Sequence, residues 1–69
     1  MKKYLVIFEK IKGNYSVYSP DLPGCIATGK TRKETERNIK EAIAFHVEGL
    51  KEEGLALPEP ASFTEYVEV

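Results

Sequence analysis

The chain has sequence for one long helix and no more, and that feature limits its fold more than any other. Ile39, Ala42, Ile43, His46, Val47 and Leu50 recur at spacings of three and four, which gathers them on one stripe of an α-helix. Thr31-Arg32-Lys33-Glu34 ahead of the stripe has the form of a capping box. In it the Thr hydroxyl accepts from the backbone N–H three residues on, and the Glu reaches back to the Thr N–H. Gly54 supplies a positive-φ residue to end the helix. These signals predict a helix from Arg32 to Glu53, about six turns at ~3.6 residues per turn. Arg37, Lys40, Glu41, Glu48 and Lys51 fall on its outer face as ordinary solvated charge. One apolar stripe can cover one face of one sheet, so the rest of the chain must build that sheet and find other cover for its second face.

Strand signals fill the remainder. Tyr4-Leu5-Val6-Ile7-Phe8 is a short β-branched and aromatic run between charges, and Tyr15-Ser16-Val17-Tyr18 alternates bulky and small. Lys12-Gly13-Asn14 between them tolerates positive φ, so the two runs close a hairpin that ends at Ser19. Pro20-Asp21-Leu22-Pro23-Gly24 cannot join a central strand, because proline lacks the N–H a ladder needs, and it reads as a shaped loop. Cys25 to Thr28 resumes a strand before the helix. Leu55 to Pro60 is an extended connector, and Phe63 to Val69 alternates as a last strand. The order is βββαβ. A strand, helix and strand crossover is right-handed and parallel within a shared sheet, which places the fourth strand beside the first. The expectation is one α+β domain over residues 1-69, sheet order 3-2-1-4, with the helix packed on one face.

Tyr4, Val6 and Phe8 point to one side of strand one, Leu5 and Ile7 to the other, so both faces are apolar. A short hairpin around Lys12 to Asn14 puts Phe8 with Val17 on one side and Ile7 with Tyr18 on the other. The face without the helix exposes large apolar side chains together, a pattern that marks interaction surfaces. A domain of 69 residues buries only ~60% of its unfolded surface, and a lone Cys25 allows no internal disulfide. A homo-oligomer, most simply a twofold dimer that buries the uncovered sheet face, is therefore expected.

Ten Lys and Arg against eleven Asp and Glu leave a net charge of −1, which counts against a dedicated nucleic-acid binder. Basic residues cluster only at Lys30, Arg32, Lys33 and Arg37, diluted by Glu34, Glu36 and Glu41 and without interleaved aromatics for base stacking. A small nucleic-acid-binding protein using those four cations is nonetheless the rival reading. No apolar run approaches a membrane span and no signal-peptide pattern follows Met1-Lys2-Lys3, so a cytoplasmic protein away from membranes is expected. Catalytic chemistry is thin. His46 shares the helix stripe with Ile43 and Leu50, and Cys25 has no base supplied by a family signature. Gly24-Cys25-Ile26-Ala27-Thr28-Gly29-Lys30-Thr31 matches the phosphate-loop spacing. The stretch from Cys25 to Thr28 reads as strand, however, and the chain is too short for the doubly wound sheet such a loop serves. No enzyme activity, cofactor or metal is expected.

Tyr15 and Val17, then Pro20-Asp21-Leu22-Pro23-Gly24-Cys25, Gly29, Thr31, Glu34, Asn38, Ile39, Glu41, Ala42 and Ile43, together resemble the signature of HicB-type antitoxins across essentially the whole chain. The resemblance implies a truncated, non-catalytic ribonuclease-H-like βββαβ fold that neutralises a HicA-type messenger-RNA ribonuclease by occluding its catalytic histidine. The position of the first ribonuclease H carboxylate falls within Tyr4 to Phe8, where every residue is uncharged. Thr35 stands where the family usually has Ala. Family members usually continue into a ribbon-helix-helix or helix-turn-helix segment. Residues 1-69 contain none, so no DNA-binding domain is expected, and operator binding stays open. An orphan HicB-like oligomer without a toxin is an alternative consistent with the same residues.

The Pro20 to Pro23 loop is stiff before binding and loses little entropy on contact, which makes it the expected docking element. Tyr18, Asp21, Leu22 and Pro23 are the candidate partner-binding residues: Tyr18 and Leu22 for apolar contact, Asp21 for charge toward a basic ribonuclease. Two alternatives stay open at this loop. Leu22 can instead fold back to plug the edge of the core, and Asp21 can hydrogen-bond its own loop in an Asx-turn.

Overall fold

A computed structural model describes residues 2–69. Three antiparallel strands, β1 (Ile7–Ile11), β2 (Asn14–Tyr18) and β3 (Ile26–Gly29), precede one helix, α1 (Arg32–Glu52), and the sheet order is β1-β2-β3. The α+β class and the βββα succession hold. Ile7 pairs with Tyr18, Phe8 with Val17 and Ile11 with Asn14, across a turn in which Gly13 takes φ 72°. This register puts Phe8 and Val17 on one face and Ile7 and Tyr18 on the other, as the hairpin signal predicts.

Two strand expectations need correction. The first strand starts at Ile7 rather than Tyr4 and runs on through the charged Glu9 and Lys10 to Ile11. Extended toward the N-terminus, the register would set Leu5 opposite Pro20, which has no N–H to offer. The Leu5 carbonyl instead accepts from the Ser19 hydroxyl at 3.0 Å. The last strand does not form among the described residues, so the fourth place in the 3-2-1-4 order has no ladder. Residues 64–66 do run alongside residues 5–8. The approach to that edge is set by side-chain clamps: Tyr4 donates to the Pro58 carbonyl at 2.6 Å, and the N–H groups of Ala61 and Ser62 are spent on the Asp21 carboxylate.

The helix lies on the face that carries Phe8, Val17, Ala27 and Gly29, packing against β3 and β2. Val17, Ile39, Thr35 and Leu22 are its fully buried side chains. Burial of a Val or Ile side chain contributes ~1.5–3 kcal/mol. Gly29 permits the close approach of helix to sheet, since a Cβ there would sit 2.5 Å from the Thr35 Oγ1. That hydroxyl donates to the Thr31 carbonyl at 2.7 Å, and the Asn38 side-chain amide donates to the Thr28 carbonyl at 2.9 Å. Arg32 closes the far side with its guanidinium 5.4 Å from the centre of the Phe8 ring. Thr31 caps the helix as expected, its hydroxyl accepting from Glu34 N–H at 3.0 Å. The Glu34 carboxylate, though, takes the N–H of Lys30 at 2.7 Å rather than that of Thr31. Helical structure stops at Glu52, one residue short of the expected end, and Gly54 follows with φ 70°.

Candidate protein-binding face

The opposite face of the sheet carries no helix. Cross-strand pairing aligns Ile7, Tyr18 and Ile26 in one row across all three strands, and Glu9, Ser16 and Thr28 in the next. Tyr18 is 38% exposed, Ile26 62% and Ile11 55%. Ile7 is half-buried at the β1 edge, beside residues 64–66, so the apolar surface open to solvent centres on Ile26 and Tyr18, the kind of patch that protein partners cover. Its side chains stand on hydrogen-bonded strands, so the surface is ordered before anything binds.

At one end of the row, next to Tyr18, the 20–24 loop is braced by its own backbone. Ser19 N–H donates to the Cys25 carbonyl at 3.1 Å, Leu22 N–H to Ser19 at 3.2 Å, and Cys25 N–H to Leu22 at 3.0 Å. Gly24 makes the return with φ 87°, a region only glycine enters freely. This geometry separates the four candidate residues. Tyr18 belongs to the open row and Pro23 is exposed beyond it. Leu22 takes the inward alternative: at 0% exposure it fills the core and holds the loop rather than presenting surface. Asp21 faces the C-terminal segment, accepting from Ser62 N–H at 3.1 Å, Ser62 Oγ at 2.9 Å and Ala61 N–H at 3.2 Å. The backbone hydrogen bond from Ser62, aided by the Ser62 hydroxyl and the Ala61 N–H, holds its carboxyl below the usual carboxylate range. Charge at Asp21 thus organises the chain before it can serve a partner.

Ile26 is the member of the row that sequence reasoning missed. Its signal lay in the pairing: once Tyr18 faces outward, the residue opposite it on β3 must do the same. Elsewhere, the phosphate-loop match dissolves into β3, with Ile26–Gly29 extended and paired to β2. Cys25 is buried, and that burial pushes its thiol pKa up, away from the reactive thiolate. His46 is half-buried on α1 beside Phe45 and Leu50. Among the described residues no group of three or more His, Cys, Asp or Glu side chains is placed to hold a metal ion. Among the described residues no helix is long and apolar enough to cross a membrane.

The arrangement is that of a small α+β domain with one sheet face free of helix, and similarity to known proteins identifies its family. Residues 4–69 match the family described as HicB_like antitoxin of bacterial toxin-antitoxin system. The fold superposes on a chain of a HicA3 and HicB3 toxin-antitoxin complex with a TM-score of 0.70 and 35% identity, over 87% of this chain and 70% of that one. It also superposes on the N-terminal domain of the Burkholderia pseudomallei antitoxin HicB, with a TM-score of 0.67 and 36% identity, over 90% and 69% of the two chains. A UPF0150 protein of Thermoplasma acidophilum is 49% identical over 57 residues, 81% of this chain and 83% of its own length. An uncharacterized 14.9 kDa protein of Haemophilus phage HP1 is 41% identical over 64 residues, covering 93% of this chain, which spans only 48% of the phage protein. This chain belongs to the HicB-like antitoxin family.

Proposed function

We propose that the chain is a non-catalytic antitoxin of the cytoplasm that binds a HicA-type messenger-RNA ribonuclease and covers its active site. The observation that carries this reading is the open row of Ile7, Tyr18 and Ile26, flanked by a pre-braced loop, in a member of an antitoxin family. Tyr18 and Ile26 supply the apolar contact, with Pro23 at the rim; Glu9 in the neighbouring row offers negative charge to a basic partner. Leu22 and Asp21 act one step back by fixing the loop and the segment after residue 60. The resemblance of the fold to a chain of a HicA3 and HicB3 toxin-antitoxin complex supports the partner class. The chain also associates with itself when no toxin is present.

The test is inhibition of a HicA-type ribonuclease by the chain with Tyr18→Asp and Ile26→Asp together. Charge in the centre of an apolar contact should weaken inhibition at least tenfold, equivalent to ~1.4 kcal/mol. Ile26 is 62% exposed but Tyr18 only 38%, so Tyr18→Asp should lower the melting temperature somewhat, and inhibition is compared at a temperature where the double variant is fully folded. Full inhibition by the folded double variant would move the contact off this face.

A further inference from the structure

On the helix side of the molecule, beyond the edge of β1, a groove of about 690 Å³ opens between α1, the N-terminal residues and the connector. Ile43, Val47 and Leu57 form an apolar floor, and Lys2, Lys40 and Lys51 stand around it, with no acidic side chain in the lining. Lys2 is already paired with Glu59 at 2.7 Å, which leaves Lys40 and Lys51 as the cations facing an occupant. The same chain carries a segment of the opposite character. Residues 63–69, Phe-Thr-Glu-Tyr-Val-Glu-Val, contain two carboxylates and no cation. Phe63, Tyr66, Val67 and Val69 are almost wholly exposed.

We infer that the 63–69 segment of a second copy docks in this groove, setting Glu65 and Glu68 against Lys40 and Lys51 and its aromatic and aliphatic side chains on the Ile43, Val47 and Leu57 floor. Lys40 and Lys51 lie eleven helical rises apart, ~16 Å, and their long flexible stems can reach inward to carboxylates three extended residues, ~10 Å, apart. The segment does not fill its own groove. Tyr4 holds the Pro58 carbonyl, Lys2 holds Glu59, and Asp21 then takes Ala61 and Ser62, which leads the chain to the far side of β1 beside residues 5–8. Each copy has one groove and one segment, so a reciprocal pair satisfies both and closes with twofold symmetry. The open sheet face has no comparable charge match for a second copy, and this arrangement leaves that face free for the toxin. The inference rests on the self-association proposed above and locates it.

Two charge-reversed chains test it by sedimentation equilibrium: one with Lys40→Glu and Lys51→Glu, the other with Glu65→Lys and Glu68→Lys. Each alone should self-associate at least tenfold more weakly than wild type, while an equimolar mixture recovers association, because acidic groove then meets basic segment and basic groove meets acidic segment. Recovery on mixing excludes misfolding as the cause of the loss. Wild-type association that survives both reversals, or a mixture that fails to recover, overturns the assignment. A wild-type chain that stays monomeric at high micromolar concentration overturns it together with self-association. Both reversed chains should inhibit the ribonuclease as wild type does, so failure of the toxin reading shows in the Tyr18 and Ile26 variant and not here.

Discussion

The two halves of α1 differ in how they meet the rest of the molecule. Its buried residues, Thr35 and Ile39, lie in the first half, pressed on β3 where Gly29 lets the backbones close up. In the second half Phe45 is 83% exposed, and the stripe through Ile43, Val47 and Leu50 is only half-buried. A four-residue β3 and a five-residue β2 are too short to run under a helix of 21 residues. Stability is therefore concentrated at one end, and the other end keeps apolar surface exposed. Small domains have few places to bury side chains, and this one spends them around a single contact between helix and sheet.

The comparison breaks most directly by shortening one apolar side chain in each half. Ile39→Ala should lower unfolding free energy by ~2–5 kcal/mol, enough to unfold much of a marginally stable chain. Phe45→Ala, although it removes the larger side chain, should change it by less than ~0.5 kcal/mol. Urea titration of the two variants measures both, and equal losses would mean that the second half of the helix is covered in solution.

A smaller effect sharpens the same contact. Gly29→Ala adds a methyl 2.5 Å from the Thr35 Oγ1 and 2.9 Å from the Thr35 backbone nitrogen, so helix and sheet must separate slightly. Overpacking of this kind costs ~1–3 kcal/mol. In a Thr35→Ala background the hydroxyl is gone but the backbone nitrogen remains, and the cost of Gly29→Ala should fall without vanishing. A double-mutant cycle by thermal melting reads the coupling, and strict additivity would show that the two residues do not press on each other.

Most of the fold was legible because its signals were local. The Thr31 cap, the apolar stripe of α1, the Gly13 turn and the prolines of the 20–24 loop act within a few residues of themselves. Even the split of Ile7 and Tyr18 from Phe8 and Val17 followed from the hairpin alone. What was not legible depended on contacts distant in sequence. The start of β1 was decided by Pro20 across the hairpin, the approach of the chain to the last-strand edge by clamps from Tyr4 and Asp21 on residues 58 to 62, and the inward turn of Leu22 by its burial in the core. Ile26 joined the candidate face only once β3 had a register. The chain's alternating 63–69 pattern is a genuine strand signal, but alternation states a propensity for an edge and cannot say which chain supplies it.

Asp21 ties the 20–24 loop to the segment after Pro60, and it carries the smallest expected effect. Its carboxylate is exposed but accepts from two backbone N–H groups and one hydroxyl, all from residues 61 and 62. Hydrogen bonds to the charged form, the Ser62 N–H first, lower its pKa from the ordinary 3.8. The sign follows from linkage: a carboxyl with a depressed folded value binds protons less readily folded than unfolded, so its contribution is present in full above the unfolded value and is lost as pH falls through the folded one. The amide proton shifts of Ala61 and Ser62 in nuclear magnetic resonance spectra should therefore titrate together, with a midpoint below 3.8. Asp21→Asn should abolish that titration and release the segment at neutral pH. A midpoint at or above the ordinary value, or a Ser62 amide indifferent to the substitution, would show that the segment after Pro60 is steered by something other than this clamp.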